Sequence, residues 1–262
     1  MGQTMQYETI TSTLSDDVAI VTLNRANVMN ALTSRLRREL LDAIMIAASA
    51  ARVLVITGAG RAFCSGQDLS DASALGAVDL ERLLREEYEP LLHAIYDCPI
   101  PTIAAVNGAA VGAGANLALA ADVVIATHSA SFSQSFTRIG LIPDAGGTYW
   151  LPRQIGMPRA MGAALFADKI TATQAADWGM IYEAAPDDEF DAHWRARARH
   201  LASGPTQAYA RVKAALRASH ANDLSTQLTL EARLQGECGD TQDFAEGVAA
   251  FLQKRPARFI GR

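Results

Sequence analysis

Short apolar runs alternate with amphipathic stretches over the first half of the chain. The runs are rich in Val, Ile and Thr, as strands are, and the stretches between them repeat apolar residues every three or four positions, as helices do. Strands are predicted over 7–14, 18–23, 52–57, 102–106 and 122–126, and helices over 33–50 with Thr33 as N-cap, 79–97 with a break or kink at Pro90, and 114–120. The first two strands pair as a hairpin. The later alternation of strand and helix predicts largely parallel pairing.

The second half of the pattern is dominated by helices. Helices are predicted over 147–155, 158–167, 171–178, 187–202, 206–219, 223–238 and 241–253, with a late strand over 180–184. Thr171 and Gln174 have the spacing of a capping box at a helix start. The chain is therefore expected to be an α/β protein with a helical tail, and such a tail often packs on a neighbouring molecule.

Composition and charge narrow the class of protein. Half of the 262 residues are hydrophobic, so one large domain, or one domain with an appended piece, has enough residues for its core. The net charge of −5 disfavours a general nucleic-acid binder. No apolar leader and no apolar run of about 18 residues occurs, so no membrane span is predicted. Three widely spaced cysteines favour a reducing compartment, and we expect a cytoplasmic protein without a metal site.

The stretch at 106–119, VNGAAVGAGANLAL, joins a strand end to a glycine-rich helix start. Gly108, Gly112 and Gly114 let another group approach the backbone closely. The first amides of a helix lack intrahelical acceptors and lie at the positive end of its dipole, so they can hold an anion or a developing oxyanion. The alternative is close packing of helix on sheet, in which the glycines serve contact alone. This stretch by itself leaves both interpretations open.

Two further stretches carry candidate chemistry. The stretch at 61–69, RAFCSGQDL, is interpreted as an irregular loop in which Gly66 lets the Gln67 amide face outward; the alternative is an ordinary turn. In the stretch at 139–148, IGLIPDAGGT, apolar neighbours surround Asp144. They disfavour the charged carboxylate, so its pKa should rise from ~3.9 toward a value that suits proton transfer near neutral pH. The alternative role of Asp144 is to cap the helix that follows.

Other catalytic motifs are incomplete or absent in the sequence. Gly58 and Gly60 suggest a dinucleotide-binding loop, but Phe63 stands where the third glycine is needed. The sequence has no P-loop and no nucleophile elbow. Cys64 is expected to be a small buried residue rather than a nucleophile.

The three stretches RAFCSGQDL, VNGAAVGAGANLALAAD and IGLIPDAGGT, in this order and at this spacing, resemble the crotonase family of enoyl-CoA hydratases and isomerases. The closing EGVAAFLQKRPARFIGR strengthens the resemblance, which covers nearly the whole chain. It implies an α/β fold, a spiral of ββα units with a C-terminal helical region that forms trimers or paired trimers. On this basis, residues 1–200 are expected to form the acyl-CoA-binding catalytic core and residues 201–262 the helical oligomerisation region.

The resemblance also implies a chemistry. The substrate is an acyl-CoA thioester and no separate cofactor is needed, because coenzyme A is part of the substrate. The amides of Gln67 and Ala113 are expected to hold the thioester oxygen and to stabilise an enolate. The two glutamates of the family's hydratases are replaced by Asn116 and Phe136, and Asp144 is the acid that remains. The sequence is most similar to the members that isomerise epoxyphenylacetyl-CoA in phenylacetate breakdown, in which that aspartate acts alone.

Further substrate contacts are implied by position in the family pattern. The residues expected to contact CoA or the acyl group are Arg25, Ala62, Asp68, Leu69, Gly112, Phe136, Phe259 and Arg262, of which the last two would reach a neighbouring subunit's CoA. For each arginine the alternative is a solvated surface charge. The segment 70–88 is expected to line the acyl pocket, and its part 70–78 to be mobile.

The sequence therefore predicts an isomerase that shuttles a proton through Asp144 on an enoyl- or epoxyphenylacetyl-CoA thioester. The first alternative is an enoyl-CoA hydratase that uses Asp144 and an ordered water. The second is a non-catalytic acyl-CoA-binding or RNA-binding relative, which the acidic net charge and the presence of Asp144 disfavour. Dehalogenation is also disfavoured, because Glu89 and Phe136 stand where that group of the family has a histidine and a tryptophan.

Overall fold

Two sheets form the centre of the fold. The computed structural model describes residues 3–5, 7–70 and 79–262, without the side chains of 3–5, so the mobility expected of 70–78 falls, apart from Ser70, outside the described residues. The seven-stranded sheet has the order β1-β2-β3-β4-β6-β8-β11, and the four-stranded sheet the order β10-β9-β7-β5. The strands are β1 (Gln3–Met5), β2 (Ile10–Ser15), β3 (Val18–Leu23), β4 (Val53–Gly58), β5 (Ala62–Cys64), β6 (Thr102–Val106), β7 (Ala109–Val111), β8 (Val123–Thr127), β9 (Ser131–Ser133), β10 (Ile170–Thr171) and β11 (Glu183–Ala185).

Helices cover the sheets on both faces and form the C-terminal part of the chain. In the described residues they are α1 (Ser34–Ala50), α2 (80–96), α3 (Ala113–Leu119), α4 (Gly147–Phe166), α5 (Ala172–Asp177), α6 (Phe190–Ala202), α7 (Thr206–Ala218), α8 (Leu224–Gly239) and α9 (Gln242–Leu252). The predicted caps are present: the Thr33 side chain accepts a hydrogen bond from the Leu36 amide, and that of Thr171 accepts one from the Gln174 amide, both at 3.2 Å. A kink at Gly156, with φ 74°, separates the two helices predicted within α4.

The larger sheet confirms the parallel pairing predicted from the strand–helix alternation. Strands β1 to β3 pair antiparallel, and β3, β4, β6, β8 and β11 pair parallel. Along β4, Val53 and Val55 pack with α6 on one face, while Leu54 and Ile56 face the main core on the other. Burial on both faces explains why this strand reads as an unbroken apolar run rather than an alternating one.

The sequence pattern does not predict the smaller sheet. The interpretation of 61–69 as irregular throughout is wrong, because Ala62–Cys64 is a strand that pairs parallel with β7, which pairs parallel with β9. Three successive parallel strands of the larger sheet each lead through a short turn into one of these short strands: β4 into β5, β6 into β7, and β8 into β9. This repetition is the spiral of ββα units that the family resemblance implies.

Helix α2 continues through Pro90 by means of a wide turn. Its α-helical ends, Leu80–Leu83 and Glu89–Tyr96, flank a π-helical turn at Leu84–Tyr88. Proline has no N–H and its ring crowds the carbonyl one turn earlier, and a π turn gives that ring room. The kink or break expected at Pro90 is thus a π turn, and its last residue, Tyr88, is buried.

Side chains of α7 join the C-terminal helices to the sheet. Asp122, next to β8, accepts hydrogen bonds from the ammonium of Lys213 and the guanidinium of Arg217, both at 2.6 Å. The division into a core of residues 1–200 and an oligomerisation region of 201–262 remains a prediction. Among the described residues, no helix combines the length and apolarity that a membrane crossing requires.

Candidate active site

Asp144 lies in a tight turn between a 3₁₀ helix, Ser135–Ile139, and α4. Its carbonyl oxygen accepts two hydrogen bonds, from the Gly147 amide at 2.8 Å and from Asn116 Nδ2 at 2.7 Å. The next two residues, Ala145 and Gly146, have positive φ angles of 48° and 81°. A positive φ is costly for alanine, so the turn is held by its surroundings rather than by local preference.

The Asp144 carboxylate is poorly stabilised in its charged form. Its Oδ1 atom is buried and has no hydrogen-bond partner among the described residues. Burial raises the pKa of this carboxyl from 3.8 to about 6, although a hydrogen bond from its own backbone N–H opposes the rise. The capping alternative is wrong, because Gly146 is the N-cap of α4 and no side chain caps that helix. The apolar surroundings that predicted a raised pKa are therefore present.

Asp144 is part of the wall of a cavity of about 660 Å³. The other walls come from α2 and the start of α4, and the lining is mainly aromatic and aliphatic: Leu84, Tyr88, Leu92, Tyr96, Ile142, Pro143, Tyr149 and Trp150. Glu81 and Glu89 also line it and are exposed. The described part of the segment 70–88 thus contributes to the cavity as expected, whereas 71–78 lie outside the described residues.

The two glycine-containing stretches meet backbone to backbone. Gly66 has φ 91°, and a Cβ placed on it would lie 2.8 Å from the Val111 carbonyl oxygen and 3.6 Å from the Ala113 nitrogen. A Cβ on Gly114 would overlap the Cys64 carbonyl. Close packing, the alternative reading of these glycines, is therefore real, and it brings the loop at Gly66 against the start of α3.

The amides next to these glycines are free of backbone acceptors. In the described part of the chain, no hydrogen bond uses the N–H of Gln67 or of Ala113. The flanking bonds fix the Gln67 peptide, because the Leu32 amide donates to Gly66 O at 2.8 Å and the Asp68 amide donates to Leu32 O at 3.0 Å. Contact and free donors thus occur together, so the two interpretations of the glycines do not exclude each other.

Asn116 and Phe136, the two positions without an acid, are both buried. Asn116 pairs with the Gln134 side chain through bonds of 2.8 and 3.3 Å, and its remaining donor goes to the Asp144 carbonyl. The Phe136 ring packs against Gly112, where a Cβ would lie 3.6 Å from it. The side chain at 116 therefore supports the Asp144 turn, a role that the sequence analysis did not assign to it.

Three of the predicted CoA contacts, Arg25, Asp68 and Leu69, lie beside Gln67, and a fourth, Ala62, lies in β5. Arg25 donates to Asp68 at 2.9 Å and to the Ala31 carbonyl at 2.6 Å, so it is a half-buried ion-pair partner rather than a fully solvated charge. Leu69 is 59% exposed. Ala62 is buried in β5, and its carbonyl accepts a hydrogen bond from Asn30 Nδ2 at 2.8 Å. Ala62 therefore offers little surface to a ligand from its side chain.

Phe259 and Arg262 lie among the C-terminal helices. The Phe259 ring is part of an apolar groove of about 890 Å³ between α7, α8 and α9, and the Arg262 carbonyl accepts a hydrogen bond from the Asp243 amide at 3.1 Å. Neither residue lines the Asp144 cavity of the same chain. Their contact with the CoA of a neighbouring subunit remains a prediction.

Arg37 is a residue of this region that the sequence analysis missed. It is 1% exposed, and its guanidinium donates to Gln67 Oε1 at 2.6 Å and to Glu87 at 2.7 Å. The available signal was its place on the apolar stripe of α1, between Leu36 and Leu40, where a charge is unusual.

Cys64 is buried, as expected, and burial raises the pKa of its thiol to about 12. It is therefore protonated at neutral pH and unsuited to nucleophilic attack. Within the described ranges, no group of three or more His, Cys, Asp or Glu side chains is arranged to hold a metal ion.

Known proteins resemble the chain over nearly its whole length. Residues 13–262 match the family model of enoyl-CoA hydratase/isomerase. A Rhodobacter capsulatus protein named probable enoyl-CoA hydratase is 63% identical over 258 residues, which cover 98% of this chain and 100% of that protein. The 1,2-epoxyphenylacetyl-CoA isomerase of Escherichia coli K12 is 42% identical over 260 residues, 97% of this chain and 99% of that protein. The crystal structure of an enoyl-CoA hydratase from Bacillus anthracis superposes with a TM-score of 0.90 at 31% identity, covering 97% of this chain and 100% of that one.

Proposed function

We propose, from the premise that this chain belongs to the enoyl-CoA hydratase/isomerase (crotonase) family, that it is an isomerase which moves a proton on an acyl-CoA thioester. The enzymes of this family act on acyl-CoA thioesters, so the substrate class follows from membership. The choice of isomerisation rests on one observation: Asp144, whose Oδ1 atom is buried and has no hydrogen-bond partner among the described residues, lines the apolar cavity, while the two other acid positions of the family hold Asn116 and Phe136.

The amides of Gln67 and Ala113 are proposed to bind the thioester oxygen. Both belong to backbone that is fixed by flanking hydrogen bonds or by the start of α3, and neither donates within the described chain. Two such donors become stronger ligands as negative charge develops on the oxygen, so they stabilise the enolate more than the ester. The α-carbon of the bound thioester is thereby made more acidic.

Asp144 then carries the proton. Its ionised carboxylate takes a proton from one carbon of the acyl group, and the electron pair of that C–H bond enters the enolate. The protonated carboxyl returns the proton to another carbon as the enolate collapses, so the double bond moves and Asp144 is ionised again. A carboxyl with a pKa of about 6 exists in both forms near neutral pH, which suits a group that accepts and donates in one turnover.

The aromatic lining of the cavity favours an acyl group that carries an apolar or aromatic part. Tyr88, Tyr96, Tyr149 and Trp150 present ring surfaces next to Asp144. Such rings suit the ring of an epoxyphenylacetyl group or a medium-length enoyl chain. The 42% identity to a 1,2-epoxyphenylacetyl-CoA isomerase supports the same substrates, and with them a place in phenylacetate or fatty-acid metabolism. We also propose assembly as a homotrimer or a dimer of trimers, to which the apolar groove among α7, α8 and α9 offers a surface, and a cytoplasmic location.

The substitution Asp144→Asn tests this proposal. It keeps the shape of the side chain but removes the base, so we expect isomerisation of 3-enoyl-CoA to fall by at least about 100-fold while CoA-ester binding changes little. The measurements are the isomerisation rate and calorimetric titration with an acyl-CoA. Asp177→Asn, an exposed aspartate on α5, is the matched control and should retain full activity. Retained isomerisation in Asp144→Asn would exclude the proposed shuttle.

Hydration of a trans-2-enoyl-CoA is the second candidate. It is favoured by the name of the 63% identical relative and by Glu89, a second carboxylate that lines the same cavity as Asp144 and that could serve the water which hydration needs. A substrate panel separates the two candidates. An isomerase converts 3-enoyl-CoA to 2-enoyl-CoA, or epoxyphenylacetyl-CoA to its ring-expanded isomer, without hydrate, whereas a hydratase converts trans-2-enoyl-CoA to the 3-hydroxy product.

A further inference from the structure

Arg37 is at the centre of a buried hydrogen-bond network behind the Gln67 peptide. Its three guanidinium nitrogens donate to side chains on two helices, to one side chain of the loop at Gly66 and to one backbone carbonyl. The acceptors are Glu87 Oε2, Ser34 Oγ, the Tyr88 hydroxyl, Gln67 Oε1 and Leu32 O, at 2.6–3.3 Å. The guanidinium also lies 4.6 Å from the centre of the Tyr88 ring. A buried cation is costly unless its donors are used, so this arrangement is a defined structure rather than a chance contact.

The network reaches Gln67 from two directions. Gln67 Oε1 accepts one hydrogen bond from Arg37 and one from the Tyr88 hydroxyl, each at 2.6 Å. Burial raises the pKa of Tyr88 above its usual value, so the phenol remains a neutral donor. Arg37 also donates a hydrogen bond to the Leu32 carbonyl. The same carbonyl accepts a hydrogen bond from the amide of Asp68, the residue after Gln67. The side chain and the backbone of Gln67 are thus both tied to Arg37.

Tyr88 also belongs to the cavity wall. It is the last residue of the π turn in α2, and it lines the cavity together with Asp144. The same residue therefore touches the space proposed for the acyl group and the loop proposed for its carbonyl oxygen.

We propose that Arg37 and Tyr88 are positioning residues that aim the Gln67 amide at the thioester oxygen and couple it to the α2 wall of the acyl cavity. Arg37 and Tyr88 act through the Gln67 amide, so this inference rests on the proposed function. The oxygen carries negative charge in the enolate but not in the bound ester. Loss of a positioning contact therefore destabilises the bound enolate more than the bound ester.

The test uses Tyr88→Phe, which removes the hydroxyl but keeps the ring. It removes both the bond donated to Gln67 at 2.6 Å and the longer bond accepted from Arg37 at 3.3 Å. We expect kcat for 3-enoyl-CoA isomerisation to fall about threefold to tenfold, with KM changed by less than roughly twofold. The second readout is the infrared carbonyl band of hexanoyl-CoA labelled with ¹³C at the thioester carbon. The bound band should move toward its frequency in buffer, because the oxygen is polarised less.

Tyr7→Phe is the matched control. The Tyr7 hydroxyl donates to the Asp42 side chain on α1 at 2.7 Å, so this variant also loses a tyrosine hydroxyl that is bonded to α1, but away from Gln67. It should leave the carbonyl band and kcat unchanged. A band shift of equal size in both variants would overturn the inference, because the readout would then report packing in general.

A double-mutant cycle with Gln67→Ala tests the path of the coupling. That variant keeps the backbone amide but removes the acceptor of both tethers, so Tyr88→Phe should have no further effect in its background. Full additivity, or an unchanged band in Tyr88→Phe, overturns the positioning role. Hexanoyl-CoA has no double bond, so the band is independent of isomerisation. If the wild-type protein does not shift the band at all, the two-amide oxyanion hole itself is wrong.

Discussion

The carboxyl group of Asp144 is the residue-scale feature on which the proposed chemistry depends. One of its oxygens is buried and accepts no hydrogen bond from the part of the chain that the structure describes, and burial raises the pKa of the carboxyl group to about 6. The folded state therefore binds this proton more tightly than the unfolded chain does, so ionisation of Asp144 subtracts stability as the pH rises from about 4 through 6. The ionised form of Asp144, which the proposed mechanism needs as its base, therefore costs folding free energy, a cost that is common at catalytic sites.

The same pKa predicts a pH dependence of the rate. Proton abstraction needs the ionised carboxylate, so kcat/KM should rise about tenfold per pH unit below 6 and level off above it. An aspartate with an ordinary pKa would instead place this rise of the pH profile below about pH 4. The measurement is kcat/KM for 3-enoyl-CoA from pH 4.5 to 8.5. Residual activity of Asp144→Asn should lack this rise, and a rise retained in that variant would assign it to another group.

At the scale of elements, α3 and the Asp144 turn are joined by the Asn116 side chain. Asn116 and Gln134 form a buried amide pair, and a Cβ on Gly147 would overlap Asn116 Nδ2. The space at 116 is therefore filled, and its polar groups are used. Asn116 at this position therefore stabilises the local structure, in addition to leaving the site without a second acid.

The substitution Asn116→Glu should consequently fail to create a hydratase. It adds a methylene group and an unpaired charge to a filled site and removes the donor to the Asp144 carbonyl. We expect the free energy of unfolding to fall by about 2–4 kcal/mol and isomerisation to weaken. Urea unfolding and a trans-2-enoyl-CoA hydration assay measure both effects. Asn24→Glu, at an exposed position, is the control and should change little. Gained hydration at full stability would contradict this account.

Element boundaries were predictable where side-chain pattern decides them. The strand at 102–106 and the caps at Thr33 and Thr171 match the structure. The short strands β5, β7 and β9 were not predictable, because three residues are too few for a period and backbone pairing between turns of the spiral holds them. The contacts of Asn116 and Arg37 were not predicted for a similar reason. Their partners, Asp144 and Gln67, are distant in sequence.

At the scale of the whole molecule, one carboxylate ties the C-terminal helices to the sheet. Asp122 accepts from the Thr102 amide at 2.8 Å as well as from Lys213 and Arg217, and Lys213 also donates to the Cys98 carbonyl at 2.6 Å. All three charged side chains of this cluster are largely buried. The cluster joins α7 to both β6 and the start of β8.

The substitution Asp122→Asn should destabilise the protein strongly. It leaves two largely buried cations without their counter-charge, and we expect the free energy of unfolding to fall by about 2–4 kcal/mol. The measurement is urea unfolding followed by circular dichroism. Asp191→Asn, which breaks an exposed ion pair with Arg195 on α6, is the matched control and should have little effect. Equal effects of the two substitutions would show that burial does not govern the Asp122 cluster.

The overall architecture was accessible from sequence through motif resemblance rather than through periodicity. Periodicity predicted a parallel sheet and a helical tail, whereas the spiral of ββα units followed only from the order of the three motif stretches. The residues of the candidate site likewise fall into two groups, those that the sequence predicted and those that only the structure shows. Asp144, Gln67 and Ala113 stand out through their neighbours in sequence, whereas the cavity wall and the network behind Gln67 are assembled from residues of α1 and α2.

The backbone contact between the Gly66 loop and the start of α3 has a practical consequence for directed evolution. No side chain fits at 66 or 114, because a Cβ there would strike the carbonyls of Val111 and Cys64. Libraries should keep these two positions fixed, since most variants there would lose the paired amides together with the fold. Diversity belongs at Leu92 and Ile142, which line the cavity proposed for the acyl group. New substrate ranges are then reachable by point substitution while the backbone donors stay in place.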